Sequence, residues 1–154
     1  MKKTLVMLLV GCALFGAFTV RAELISEDSI SIPRLKAILG AEYGTKVDDD
    51  GDIVITNGNN KAFVSIRPKV KLIRVFSIWS KPNDASVGDM IRVANKFNYE
   101  KVAVRVAVNP ENGTSVCDLY VNYKNGITRE AFLDMVDWIF VLSKTWNEFP
   151  AQNR

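Results

Sequence analysis

The feature that restricts the fold most is the stretch "TKVDDDGDIVITNGNNKAFVSIRPKVKLIRVFSIWS", residues 45–80. It is rich in β-branched and aromatic residues, which pack well on a pleated surface. Turn formers cut it at short intervals. Asp50-Gly51 and Asn57-Gly58 are strong turn signals, and the runs around the first of them alternate. Pro68 separates Phe63–Arg67 from Lys71–Trp79. These runs predict strands of an antiparallel meander.

The sequence before the meander, "SEDSISIPRLKAILGAEYG", predicts a helix. Ser31 is a capping residue, Pro33 suits a first turn, and Leu35, Ile38 and Leu39 recur at helical spacing. Gly40 is an awkward guest near its end, and Gly44 is the expected stop. After the meander, "SVGDMIRVANKFNYE" returns to helical period. Ser86 and Asp89 are placed for a reciprocal cap, and Met90, Ile91, Ala94 and Phe97 form one face. Two more strands follow. Lys101–Val108 puts Val102, Val104, Val106 and Val108 on one side, and Ser115–Tyr123 does the same with Cys117, Leu119, Val121 and Tyr123. "NPENG" joins them as a turn. A last helix opens at Thr128 and runs to about Glu148, with Phe132, Met135, Val136, Ile139 and Trp146 on one stripe.

The order is therefore α-β-β-β-α-β-β-α, with an additional short strand near Val47. It predicts an α+β fold in which helices flank an antiparallel sheet. No internal repeat or low-complexity tract interrupts residues 23–154, which read as a single domain.

Residues 1–22 read as a signal peptide. Met1-Lys2-Lys3 is a short cationic start, and Thr4 to Val20 is an uncharged, mostly apolar run of 17 residues. Val20 and Ala22 make a small-x-small cleavage pattern, with the cut between Ala22 and Glu23. Leu9-Val10-Gly11-Cys12 competes with it as a lipobox, at which Cys12 would be lipidated. That cut would shorten the apolar run to Leu5–Gly11 and leave "ALFGAF" as the first mature residues, an apolar tail without a polar tether. A third reading leaves the segment uncut, since 17 residues just span a bilayer. Run length and flanking polarity favour Ala22. The expected address is periplasmic or secreted. Membrane association follows only from an uncleaved leader or a lipidated Cys12.

Cleavage changes the charge and the chemistry. Of the 20 basic residues, Lys2, Lys3 and Arg21 lie in the leader, so from Glu23 onward 17 cations face 17 carboxylates. A balanced chain has no global field for nucleic acid, which is not an expected partner. Cys12 and Cys117 are the two cysteines, and only Cys117 lies in the mature domain, so no intramolecular disulfide forms. There is no histidine, which removes the commonest general base and metal ligand.

Few residues suggest site chemistry. "KVDDDGDIVITN" has the look of a calcium loop, but Lys46 and Asn57 occupy its first and twelfth positions, where an acid and a bidentate Glu are required. A solvated acidic turn explains it. "RPKVKLIR", residues 67–74, carries four cations that suggest a phosphate or nucleic-acid stripe. Lys69 and Lys71 share one strand face while Arg74 faces the other way, and a charged edge strand that resists sheet-to-sheet aggregation explains it as well. Cys117 shares a strand face with Leu119 and Val121 and is expected to be buried and inert. Asp48–Asp50 lies in a turn, and Asp134–Asp137 sits on the polar side of the last helix. Asn112-Gly113-Thr114 matches a glycosylation sequon and equally a turn. No catalytic, cofactor-binding or metal-binding set is expected. The last helix is more informative. Leu133 and Phe140 fall on one flank of its apolar stripe, Trp138 on the other, and Val141 near the back. A stripe so wide is covered either by the domain itself or by a protein partner or second copy.

The element order, with "DDDGDIVIT", "AFVSI", "IRVFSIW", "RVANKFNYEKVAVRVAV" and "GITREAFLDMVDWIFVLSKTWNEF", resembles the YbjN family of small bacterial proteins over residues 33–149. The resemblance implies a type III secretion chaperone-like fold, an antiparallel sheet with flanking helices. It also implies a role as a sensory transduction regulator, and it carries no catalytic residues onto this chain. The leader departs from the cytoplasmic pattern of many members. Together these readings predict an exported, non-enzymatic envelope protein that binds a protein partner or forms a homodimer through its last helix, at Leu133, Trp138, Phe140 and Val141. The rival is a small-ligand binder or enzyme using Asp118, Tyr120 and Asn122, which share one strand face.

Overall fold

A computed structural model describes residues 22–101 and 104–153. The readings on the leader, on Cys12 and on Val102 lie outside the described residues. The meander forms as expected. Strands β2 (Gly44–Val47), β3 (Ile53–Asn57), β4 (Asn60–Arg67) and β5 (Leu72–Trp79) pair antiparallel in sequence order, with turns at Gly51 and Gly58, both at positive φ. The short strand near Val47 is β2. Two later strands, β6 (Arg105–Val108) and β7 (Ser115–Asn122), extend the sheet, and β7 pairs with both β5 and β6. The result is an antiparallel six-stranded sheet in the order β2-β3-β4-β5-β7-β6.

The three α-helices among the described residues pack on one face of this sheet. Helix α1 (Ile32–Leu39) covers β2 and β3, α2 (Val87–Glu100) covers β6, and α3 (Arg129–Asn153) crosses β4, β5 and β7. The buried side chains between them alternate along each strand, for example Ile53 and Ile55, Ile73 and Val75, and Cys117 and Leu119. From α3, Phe132, Val136, Ile139 and Trp146 fill the centre of the same core. The capping box on α2 is present: the Asp89 amide donates to Ser86 Oγ, and the Ser86 amide donates to Asp89. Thr128 Oγ1 accepts from the Ala131 amide and opens α3 where expected.

Several expectations needed correcting. The Ser31 side chain makes no cap hydrogen bond; its carbonyl accepts from Leu35 instead. Helix α1 stops at Leu39, with Gly40 as its C-cap, while Gly44 opens β2. A Cβ at position 44 would lie 2.5 Å from Thr56 Oγ1, so close pairing of β2 with β3 explains the glycine there. The "RPKVKLIR" segment is not an edge strand. Residues Pro68–Val70 form a 3-10 turn, Lys71 sits in the left-handed region (φ 54°) and pairs with Glu27 at 3.0 Å, and β5 is interior. The sequence also hid a second, two-stranded sheet of β1 (Leu24–Ile25) and β8 (Ile127–Thr128), too short to show alternation. It ties the start of the described chain to the start of α3, where the Arg129 amide donates to the Glu23 carbonyl at 2.8 Å.

Candidate functional site

The four α3 residues singled out from the sequence separate into two groups. Leu133 and Phe140 are half-buried and pack against the core, where Phe140 meets the Tyr43 ring at 5.8 Å. The Tyr43 hydroxyl donates to Asp137 at 2.5 Å, so this flank of α3 is covered by the segment after α1. Burial, then the Asp137 hydrogen bond and charge, push the Tyr43 phenol well above its ordinary value. Trp138 and Val141 are the exposed pair, at 58% and 60%. They lie one turn apart, Trp138 on the other flank and Val141 near the back of the helix. Trp138 borders a groove of about 470 Å³ between α3 and β7, whose floor is Leu119, Val121, Met135 and Leu142. Sequence periodicity found the tryptophan but missed this floor, because a strand's contribution to a helix groove depends on sheet order.

The polar row Asp118, Tyr120 and Asn122 stands on the opposite face of the sheet from the helices. Asp118 is buried, and two arginines from neighbouring strands converge on it. Arg74 donates through Nε and Nη2 to Oδ2 at 3.1 and 2.8 Å. Arg105 donates through Nε to Oδ1 at 3.0 Å and through Nη2 to Oδ2 at 2.7 Å. The Tyr120 hydroxyl adds a bond to the same Oδ2 at 3.1 Å. Burial alone would raise the Asp118 carboxyl, but the bonds from Arg105 and then Arg74 outweigh it and hold the group below the usual carboxylate range. Arg74 also lies over the Phe76 ring at 4.2 Å, and Phe76 stacks on Phe63. Asn122 is not part of the cluster; its side chain accepts from the Lys124 amide in the next turn. A carboxylate saturated in this way is a structural anchor, not a poised acid or base.

Cys117 is buried on the helix side. Burial and the neighbouring Asp118 charge push its thiol up to about 12, against an opposing hydrogen bond with Ser143, so no thiolate forms near neutrality. Asp48 Oδ1 accepts the Asp50 and Asp52 amides, which is turn chemistry. Asn112 Oδ1 likewise accepts the Thr114 amide within the β6–β7 turn. Among the described residues no group of three or more Cys, Asp or Glu side chains is placed to hold a metal ion, and no helix is long and apolar enough to cross a membrane.

Among the described residues, an antiparallel sheet with helices packed on one face defines an α+β fold shared with several solved proteins. An uncharacterized protein from Methanothermobacter thermautotrophicus superposes with a TM-score of 0.59 at 9% identity, covering 80% of this chain and 98% of that one. The HopA1-SchA chaperone–effector complex contains a chain that matches at TM-score 0.55 and 9% identity, over 74% of this chain and 90% of its own. The crystal structure described as "YbjN, a putative transcription regulator from E. coli" matches at TM-score 0.56 and 12% identity, over 79% and 88%. The chain belongs to the YbjN family, whose model, described as "Putative bacterial sensory transduction regulator", matches residues 35–148. No curated protein matches the sequence at a significant level. The family and the chaperone-like α+β fold expected from the sequence are both present.

Proposed function

We propose that this chain is an exported, non-enzymatic member of the YbjN family that acts by binding another protein in the bacterial envelope. The observation that carries the reading is the exposed Trp138 beside the apolar α3–β7 groove. An indole with one flank in solvent and the other on a greasy floor is the kind of anchor around which protein contacts concentrate. The match to a chain of a chaperone–effector complex supports the same class of activity. The saturated Asp118 and inert Cys117 favour binding over catalysis.

The occupant of the groove is a partner protein's apolar side chain, with a second copy of this chain as the competing outcome. Trp138→Glu should weaken capture of the native partner at least tenfold, because losing a buried aromatic anchor costs about 2 kcal/mol or more. The same variant should leave the thermal midpoint nearly unchanged, since the side chain is mostly exposed. Unchanged pull-down from the native envelope fraction would sink the reading. Sedimentation that shows a dimer, converted to monomer by Trp138→Glu, would identify a second copy.

Export rests on the leader and on the local geometry at the cut. Glu23 is exposed, pairs with Arg34 at 2.5 Å, and β1 begins at the next residue, so cleavage after Ala22 leaves these contacts intact. Intact mass of the protein from its own envelope should correspond to a chain starting at Glu23. A diacylglyceryl adduct on Cys12 would instead make it a lipoprotein, and a full-length mass would make it an uncut membrane-anchored protein.

A further inference from the structure

The sheet face turned away from the helices is unlike the rest of the molecule in charge. Strand alternation and register place Lys46, Lys61, Arg67, Arg74 and Arg105 on it, against Asp118 and the adjoining Asp52. The proximity of Arg67 and Arg74 to the Asp52 carboxyl agrees with that placement. Five cations face two carboxylates on this face, although from Glu23 onward the chain is balanced. Asp118 is buried beneath its two arginines, while Lys46, Lys61, Arg67 and Arg105 are exposed, so the accessible character is more positive still.

Apolar surface alternates with this charge. Ile78 is 49% exposed, and with Val116, Ala107 and the acidic Glu111 it lines a depression of about 530 Å³ at the β6–β7 turn. A smaller depression of about 310 Å³ lies at the other end, between Lys46, Val54 and Lys61. Two of the rings on this face are not free platforms, and the third, Tyr120, is 46% exposed but has its hydroxyl tied to Asp118, with Arg105 beside its ring. Phe63 and Phe76 stack on each other at 5.1 Å, and Arg74 caps Phe76. A single-stranded nucleic acid stacks successive bases on successive open rings, of which Tyr120 offers one, whereas acidic and aliphatic side chains match the exposed cations and the apolar depression at Ile78. We infer that the sheet face turned away from the helices docks an acidic segment of a partner protein that also carries aliphatic side chains. This surface is separate from the α3–β7 groove.

The test is amide NMR of the isotope-labelled protein, expressed from its whole sequence, titrated with a synthetic 12-residue peptide of alternating Glu and Leu. Amides of Lys46, Lys61, Ile78 and Ala107 should shift progressively. The apparent Kd should rise about tenfold or more on moving from low salt to 0.5 M, as expected for contacts between exposed charges. The double variant Lys46→Glu/Lys61→Glu should show a comparable loss; both side chains are exposed, so folding is not at stake. Trp138→Glu should leave this titration unchanged, which separates failure here from failure of the groove. Absence of shifts on this face at millimolar peptide would overturn the inference. So would equal binding of a Lys-Leu peptide, or tighter binding of a 12-nucleotide oligo-dT. Concentration-dependent shifts at these amides without peptide would point to a second copy as occupant and overturn it as well.

Discussion

Asp118→Ala is expected to destabilise the fold by about 3–5 kcal/mol, the range for removing one partner of a buried ion pair. The carboxylate is fully buried, and the Arg74 side chain is only 18% exposed. Without Asp118, the Arg74 guanidinium would remain over Phe76 with its charge uncompensated. Arg105, at 59% exposure, can turn to solvent, so most of the cost falls on Arg74. Urea unfolding reads the effect directly, as a lowered midpoint at unchanged slope. The double variant Asp118→Ala/Arg74→Leu should recover much of the loss, because removing both partners leaves no orphaned charge. A single variant as stable as the wild type would refute the anchor role.

The same cluster sets a pH dependence. The folded Asp118 carboxyl lies below its unfolded value, so the group stabilises the fold above the unfolded pKa of about 4 and loses that contribution as pH falls through the folded one. The stability gap between wild type and Asp118→Asn should therefore be widest near neutrality and narrow below about pH 4.

Much of this architecture was legible because local chemistry and tertiary demand agree. Asp50-Gly51, Asn57-Gly58 and Pro68 mark the turns they were expected to mark, and the Ser86–Asp89 box caps α2. What escaped were features that depend on which strands become neighbours. Nothing near Arg74 or Arg105 in sequence announces Asp118, which is 44 and 13 residues away. Their meeting follows from the insertion of β7 between β5 and β6. The neutral total concealed a basic sheet face for a similar reason: a charge count has no sidedness until alternation and register assign each residue to a face. Period alone also grouped Leu133, Phe140, Trp138 and Val141 as surplus apolar surface. Tyr43, arriving from the segment after α1, covers the Phe140 flank and leaves Trp138 and Val141 exposed. The paired strands β1 and β8, two residues each, carry too little sequence to show a period.

Trp146→Ala should cost about 3–5 kcal/mol, in the range for emptying a large aromatic site in a packed core. Trp146 is 1% exposed and meets the Phe97 ring edge-to-face at 5.3 Å, while Phe149 meets Phe97 at 5.0 Å. Its indole N–H donates to Ser115 Oγ at 2.8 Å, which fixes α3 against β7. Truncation therefore opens a cavity where α2, α3 and β7 meet and removes a buried hydrogen bond. A domain of this size has about 5–15 kcal/mol of stability in total, so the loss takes a large share of it. Trp138→Ala, on the same helix but exposed, should shift stability by no more than about 0.5 kcal/mol. Urea unfolding of the two variants side by side decides the matter. Equal effects would mean that α3 is not oriented with Trp146 inward and Trp138 outward. The expected inequality also has a functional side: because Trp146 and its neighbours hold α3 in place, Trp138 can be altered for binding without loosening the helix that presents it.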